Sequence, residues 1–291
     1  MVSIWPQDYV EMVLNDIEKY NGIRKTKKAG LIERCMVKFC PPEQIHPNPN
    51  DEFSMAEIGP NFGVVTNYEE TVRSNLLHGI DVYEEPLIVQ KMDPDGYLLF
   101  NGHHRWFAAR RRGVKKVHIQ IVNLISSDDV NRMMEKTTNT KIASFDLDEV
   151  LLSSAEENQA PIINRLFSRK IKERLRKGAP EIIHALKEKG YDVWIYSSGY
   201  TDEEGINDFF SMYDITIDGM LNGINEKKNN NASNTKKIKE LMDQKYTVSL
   251  HIDNEAMLHV DRTTKEYTHQ DIPDYATSWD EKLLAMIADL K

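Results

Sequence analysis

Two aspartates in the second half of the chain have a spacing suited to phosphoryl transfer. Asp146 and Asp148 lie in the segment KIASFDLDEVL, where an apolar run ends in acidic residues. Residues two apart on an extended strand point to the same side, so the two carboxylates are expected to lie close together. Close carboxylates repel each other unless a divalent cation lies between them. One of them can attack phosphorus while the other acts as general acid and base.

Other polar residues follow further predicted strands or begin a predicted helix. Ser197 or Ser198 comes directly after the apolar strand YDVWIY and is a candidate to bind a phosphate oxygen. Lys236 or Lys237 begins the predicted helix NTKKIKELM and can neutralise charge on a transferring phosphoryl group. Asp253 ends the strand YTVSLHID and can complete an oxygen-rich magnesium shell. In an open α/β sheet these positions meet at the carboxyl ends of the strands, where ligands bind.

The order DxD, serine, lysine, aspartate resembles the haloacid dehalogenase-like (HAD) phosphatase superfamily over residues 141–291. The resemblance implies a Rossmannoid parallel sheet with little or no cap domain. It also implies an aspartyl-phosphate intermediate on Asp146, with acid and base steps performed by Asp148. The implied cofactor is Mg²⁺, held by Asp146, Asp253 and the main chain of Asp148.

A basic amphipathic helix is predicted at residues 161–177, in the short interval between the DxD strand and the next predicted strand. A large cap does not fit this interval, and open sites in the superfamily tend to serve bulky substrates such as polynucleotide ends or proteins. Five cations of this helix are candidates to guide a polyanion to the site: Arg165, Arg169, Lys170, Arg174 and Arg176. A solvated helix face is the alternative interpretation.

A second group of candidate residues lies in the first half, in the string YLLFNGHHRWFAARRRG. A predicted strand ends at Asn101 and Gly102, and His103, His104 and Arg105 form the first turn of the following helix. Helix N-termini bind phosphate through free N–H groups, and histidine and arginine side chains add charge-assisted hydrogen bonds. Glycine permits close approach of the backbone to a ligand. The string therefore predicts a phosphate- or nucleotide-binding site, with a simple helix cap as the alternative.

This string resembles the ParB/sulfiredoxin superfamily over about residues 33–125, most strongly at 86–123. ParB proteins use the fold to bind nucleotide and partition DNA, which implies ATP or another nucleotide as a ligand. The most similar branch is that of the free serine kinases, whose signature Asp-Gly-His-His-Arg has Asn101 in place of its aspartate here. That branch uses an upstream glutamate as base, for which Asp51 and Glu52 are both candidates. Sulfiredoxins carry a cysteine where this chain has His103.

The elements that must position these residues suggest two domains. The second half alternates strands and helices, which predicts an α/β domain with an open parallel sheet at residues 141–291. The first half, residues 1–125, predicts a smaller α+β domain, and the polar residues 126–140 are predicted to be a linker. Further strands are predicted for the segments IERCMVKF, at residues 32–39, and ITI, at residues 215–217.

Composition restricts the class of protein. The chain has 291 residues, more than one compact core usually holds, with 40% hydrophobic and 29% charged residues, as expected for a soluble globular protein. It contains no apolar run of membrane-spanning length and no secretory leader, so a cytoplasmic protein without membrane partners is expected. A formal net charge of −9 argues against a protein that coats nucleic acid through a global basic field.

Three functional hypotheses follow. The first is a HAD-like phosphatase that processes nucleic-acid ends or nucleotides, fused to a nucleotide-binding domain for which kinase activity with ATP is one alternative. The second is a phosphatase of small metabolites whose first domain recognises the substrate. The third is a DNA-binding, ParB-like regulator with a vestigial phosphatase site, which salt-sensitive DNA binding without turnover would favour.

Overall fold

The chain folds into two compact units in a computed structural model that describes residues 5–78, 85–164, 173–223, 232–253, 256–272 and 279–290. The first unit contains Met1–Asn123, and the second contains Leu124–Asn225 and Ala232–Lys291. No helix within the described ranges is both long and apolar enough to cross a membrane.

The first unit combines short helices with a mixed sheet. Its helices are α1 (Gln7–Tyr9), α2 (Asn15–Lys19), α3 (Leu31–Met36), α4 (Phe62–His78) and α5 (His103–Arg111), with a π-helical turn at Val10–Leu14 between α1 and α2. Its strands are β1 (Lys25–Thr26), β2 (Phe39–Cys40), β3 (Ile45–His46), β4 (Leu87–Asp93), β5 (Tyr97–Asn101) and β6 (Val117–Ile121).

The sheet of the first unit has the order β2-β6-β4-β5-β3, with β1 paired to β4. Strands β4 and β5 are antiparallel, whereas β6 is parallel to β4. Helix α5 buries Trp106 and Phe107 completely against this core. The Trp106 indole N–H donates to the Pro42 carbonyl at 2.8 Å, which satisfies its one polar group.

The predicted strand at residues 32–39 is wrong for most of its length. Leu31–Met36 forms helix α3, and only Phe39 and Cys40 enter the sheet. The apolar residues of this segment suggested a buried strand, but α3 has no buried residue. The prediction assumed that an apolar run is buried, whereas Ile32 and Met36 are exposed.

The second unit is built around one larger sheet. Its helices are α6 (Ser127–Met134), α7 (Ala179–Glu188), α8 (Glu203–Ser211), α9 (Ala232–Lys245) and α10 (Trp279–Ala288). Its strands are β7 (Lys141–Asp146), β8 (Leu152–Ser153), β9 (Arg174–Leu175), β10 (Tyr191–Tyr196), β11 (Gly219–Leu221), β12 (Val248–Ile252), β13 (Ala256–Asp261) and β14 (Glu266–Asp271).

The order of this sheet is β11-β10-β7-β12-β13-β14. The first four strands are parallel, and β13 and β14 continue the sheet as antiparallel strands. Five of the six residues of β10 are buried, as expected for a parallel strand covered on both faces. The mixed α/β class is thus observed, with β7 in the centre between β10 and β12.

Residues 126–140, predicted to be a linker, contain helix α6. Ser126 and Asp129 form a capping box, in which the Ser126 main-chain N–H donates to Asp129 at 3.0 Å and the Asp129 N–H donates to Ser126 Oγ at 3.3 Å. Val130 and Met133 are buried in the core of the second unit. The segment was predicted to be a linker because its composition is polar. It instead contains an amphipathic helix that packs on the second unit, so the prediction is wrong.

The predicted helix at 161–177 is also wrong in its described part. Arg174 and Leu175 form β9, which pairs antiparallel with β8. Arg165, Arg169 and Lys170 lie outside the described residues. The predicted strand ITI is displaced as well, since the strand that pairs with β10 is Gly219–Leu221. Immediately before this strand, the Asp218 carboxylate accepts the Val193 N–H at 2.7 Å.

Candidate functional site

Asp146 and Asp148 lie at the carboxyl end of the central strand β7. Asp146 is the last residue of β7 and pairs in register with Tyr196, the last residue of β10. Its Oδ1 accepts the Glu149 N–H at 2.9 Å, which caps the π-helical turn Leu147–Leu151. The chain leaves the sheet at this point, so the Asp146 carboxylate lies at the carboxyl end of β7 rather than in the core.

The two predicted serines both contact Asp148. Asp148 Oδ2 accepts hydrogen bonds from Ser197 Oγ at 3.2 Å, from Ser198 Oγ at 3.0 Å and from the Ser198 main-chain N–H at 3.1 Å. Ser197 is buried and its Oγ also accepts the Gly199 N–H at 3.0 Å. The structure thus joins the ends of β7 and β10 through one carboxylate oxygen, which orients Asp148 by charge-assisted hydrogen bonds.

Asp253 lies at the same edge. Phe145 pairs with Ile252 in the parallel β7–β12 ladder, so Asp146 and Asp253 leave neighbouring strands at the same level. Neighbouring strands are about 4.8 Å apart, which brings the two residues into one region. Asp253 Oδ1 accepts the Ala256 N–H at 2.8 Å in the turn between β12 and β13.

The predicted lysines lie on α9, and the structure gives neither a contact with the aspartates. Both Lys236 and Lys237 are exposed. Lys236 lies 3.9 Å from Glu240 in an i,i+4 pair, which is a weak surface interaction. Lys236 and Lys237 therefore both stay predicted candidates for the phosphate-neutralising lysine.

The residues present are compatible with magnesium. Among the side chains that the structure describes, no three His, Cys, Asp or Glu residues are grouped closely enough to hold a metal ion. Mg²⁺ usually binds one or two carboxylates and retains several waters, so Asp146, Asp253 and the Asp148 carbonyl are the oxygen donors that would hold it here. The Asp148 carboxylate itself is directed to the serines.

A polar layer beneath these aspartates was missed from the sequence. Ser144 is buried, pairs in register with His251, and has its Oγ 2.9 Å from His251 Nδ1. Burial raises the pKa of Tyr196, on the adjacent strand, to about 12. Ser144 precedes Asp146 by two residues and His251 precedes Asp253 by two, so the period-two alternation of strands was the signal available in the sequence.

In the first unit, the residues predicted for phosphate binding line a cleft of about 460 Å³. The cleft also contains the aromatic residues Phe53, Tyr68 and Phe100. Gly102 caps α5 with φ of 98°, and a Cβ at this position would lie 2.5 Å from Leu87 Cδ2. Only glycine therefore fits the junction of β5 and α5.

The two histidines use one ring nitrogen each to accept a main-chain hydrogen bond. The Asn48 N–H donates to His103 Nε2 at 3.2 Å, and the Asn61 N–H donates to His104 Nε2 at 3.1 Å. A neutral imidazole that accepts at Nε2 carries its proton at Nδ1. Burial lowers the pKa of His104, which favours this neutral form. Both histidines line the cleft, and His103 Nδ1 lies 3.4 Å from Asp51 Oδ2.

Arg105 is buried and turned toward the start of β4. Its guanidinium donates to the Glu85 carbonyl at 2.9 Å and lies 3.3 Å from the Glu85 carboxylate. Both candidate bases line the cleft. Asp51 is partly buried and accepts the Phe53 N–H at 3.0 Å, whereas Glu52 is exposed.

The family model of the ParB N-terminal domain matches residues 33–138. The match includes Asp51, the strands β4 to β6 and the string Asn101–Arg105. No curated protein matches the chain. The ParB-like resemblance of the first half is therefore confirmed at the level of this domain, and the HAD-like resemblance of residues 141–291 stays a prediction.

Proposed function

We propose that the second unit is a magnesium-dependent phosphomonoesterase of the HAD-like type, with Asp146 as nucleophile. The observation that carries this proposal is the convergence of Asp146, the Asp148–serine contacts and Asp253 at the carboxyl ends of three adjacent parallel strands. Binding sites of open α/β sheets occupy this position. A fold alone does not define an activity, so the proposal depends on these side chains.

The proposed reaction has two steps. Asp146 attacks the phosphorus atom of a phosphomonoester, the bond from phosphorus to the ester oxygen breaks, and Asp148 donates a proton to the leaving oxygen. Water then attacks the aspartyl-phosphate, Asp148 removes a proton from that water, and inorganic phosphate leaves with Asp146 regenerated. Magnesium bound by Asp146, Asp253 and the Asp148 carbonyl would offset negative charge on the phosphoryl group.

We propose that the first unit binds a nucleotide in the cleft at Asn101–Arg105. The cleft volume of about 460 Å³ is in the range of ligand sites, and its aromatic side chains offer surfaces for a base. The His104 Nδ1–H and the main-chain N–H groups of the first turn of α5 are suited to phosphate oxygens. If the unit transfers phosphate from ATP, Asp51 and Glu52 are both candidate bases, and Glu52 is the more exposed of the two.

We propose that a phosphatase unit fused to a nucleotide-binding unit acts on nucleotides or nucleic-acid ends. Small phosphometabolites are the alternative for the second unit, and DNA binding without turnover is the alternative that the ParB N-terminal match favours. In the last case the second unit would have no hydrolytic activity.

The test is magnesium-dependent phosphate release from DNA and RNA ends, nucleotides, phosphoamino acids and small phosphometabolites. Wild-type protein is compared with Asp146→Asn and with Asp208→Asn, an exposed carboxylate on α8 that serves as control. We expect release from nucleic-acid ends or nucleotides that only Asp146→Asn abolishes. Release from small metabolites alone would exclude end processing, and salt-sensitive DNA binding without any release would support the regulator.

A further inference from the structure

Helix α3 in the first unit turns its apolar side to solvent and its charged side to the protein. Surface helices normally turn their apolar stripe to the core and their charged residues to solvent. Here Leu31, Ile32 and Met36 are 52%, 79% and 75% exposed, and Cys35 between them is exposed as well. We call these four residues the α3 face. Residues one turn apart lie on the same side of a helix, so the α3 face is continuous.

The charged side of α3 is turned toward the protein. The Glu33 carboxylate accepts the Lys91 ammonium of β4 at 2.6 Å and 2.8 Å. Glu33 is only a quarter exposed, whereas the aliphatic residues beside it are mostly in water. Phe39, 47% exposed, extends the apolar surface beyond the helix. Exposure of this much aliphatic surface on adjacent residues indicates a binding surface rather than scattered surface residues.

Cations flank the α3 face in the sequence, and Lys38 Nζ lies 3.5 Å from the Arg34 carbonyl of the helix. The segment from Ile23 to Phe39 contains six Lys or Arg residues and one Glu, in a chain whose net charge is −9. Four of its lysines are exposed: Lys25, Lys27, Lys28 and Lys38. Charges more than about 8 Å apart are largely screened at physiological salt, so the local lysines determine which surface can approach.

We propose that the α3 face docks on an anionic lipid surface, with its aliphatic side chains at the acyl boundary and the surrounding lysines at lipid phosphates. Apolar residues combined with lysines are typical of segments that lie in a membrane interface. Single-stranded nucleic acid is less suited to this surface, because the α3 face is aliphatic and the neighbouring Phe39 ring is already stacked on His118, with ring centroids 5.1 Å apart. A symmetric contact between two copies would bring the lysines of both copies together. Six residues are too few to span a bilayer, so the docking is peripheral.

The experiment is flotation of the full chain with vesicles of phosphatidylcholine alone or mixed with phosphatidylglycerol. The double variant Ile32→Asp/Met36→Asp removes the apolar contact, and Lys28→Glu/Lys38→Glu inverts local charge. Leu77→Asp is the matched control, since Leu77 is 78% exposed on α4 in the same unit. All substituted side chains are exposed, and circular dichroism verifies that each variant is folded.

Wild type and Leu77→Asp are expected to float with the anionic vesicles and not with phosphatidylcholine, less so in high salt. Both double variants are expected to bind about tenfold more weakly or worse. Equal flotation of Ile32→Asp/Met36→Asp and wild type would overturn the proposal, as would absence of binding to anionic vesicles. Oligonucleotide binding that depends on the α3 face, or a dimer in light scattering that the apolar double variant dissociates, would assign the face to another occupant.

Discussion

Asp148 Oδ2 accepts both the main-chain N–H of Ser198, at 3.1 Å, and its hydroxyl, at 3.0 Å. This double contact connects the turn after β7 to the turn after β10. It fixes the orientation of the proposed acid and base without using its second carboxylate oxygen. The two aspartates have different hydrogen-bond donors, because Asp146 accepts the Glu149 N–H instead.

Replacing Asp148 by asparagine should abolish catalysis while preserving the fold. An asparagine oxygen can still accept the Ser198 hydrogen bonds, but it cannot donate a proton to a leaving group. We expect kcat to fall by about 10²- to 10⁴-fold, with the free energy of unfolding changed by less than about 1 kcal/mol. Steady-state phosphate release and urea denaturation measure the two quantities. An unchanged kcat would exclude Asp148 as the acid and base.

Much of the second unit's site was predictable, because strand ends are readable from apolar runs that stop at polar residues. The positions of Asp146 at the end of β7 and of Asp253 directly after β12 follow from this pattern. The contact of Asp148 with both serines was not predictable, since it depends on how the turn Leu147–Leu151 is wound. Helix α3 was misassigned because solvent-exposed aliphatic residues have the same pattern as buried ones.

Gly102→Ala should destabilise the first unit more than Gly113→Ala. Both glycines have positive φ, 98° and 65°, and they flank the two ends of α5. A Cβ at Gly102 would lie 2.5 Å from Leu87 Cδ2, whereas nothing lies within 4 Å of one at Gly113. We expect a loss of about 1 kcal/mol for Gly113→Ala, from backbone strain alone, and about 2–4 kcal/mol for Gly102→Ala, from strain and overpacking.

Chemical denaturation of the full chain, followed by hydrogen exchange of the main-chain amides of α5, provides the comparison for the first unit. Nucleotide binding of the Gly102→Ala protein below its unfolding transition should also be weakened, since the substitution displaces the first turn of α5. Equal losses for the two variants would show that the contact with Leu87 relaxes without cost.

The stability of the first unit should decrease as the pH falls below about 6.5, the ordinary pKa of histidine. Burial lowers the pKa of His104 in the folded protein, so the unfolded chain takes up the proton first. Stability that is present above the unfolded pKa is therefore lost as the pH falls from there toward the folded pKa. Protonation of Nε2 would also remove the acceptor of the Asn61 N–H.

Unfolding free energies of wild type and His104→Gln measured from pH 8 to pH 5 determine this contribution. The wild-type value should fall more steeply than that of the variant in the acidic half of the range. Parallel curves would show that His104 does not couple folding to pH.

Covalent trapping tests the central claim, that Asp146 is the nucleophile, most directly. The Asp148→Asn protein is mixed with magnesium and an aryl phosphate, whose leaving group needs no protonation by Asp148, and is then quenched in acid, digested and analysed by mass spectrometry. The account predicts one phosphoryl group on the peptide that contains Asp146, and none in Asp146→Asn/Asp148→Asn. A phosphoryl group on another residue, or turnover by wild type that survives Asp146→Asn, would contradict it.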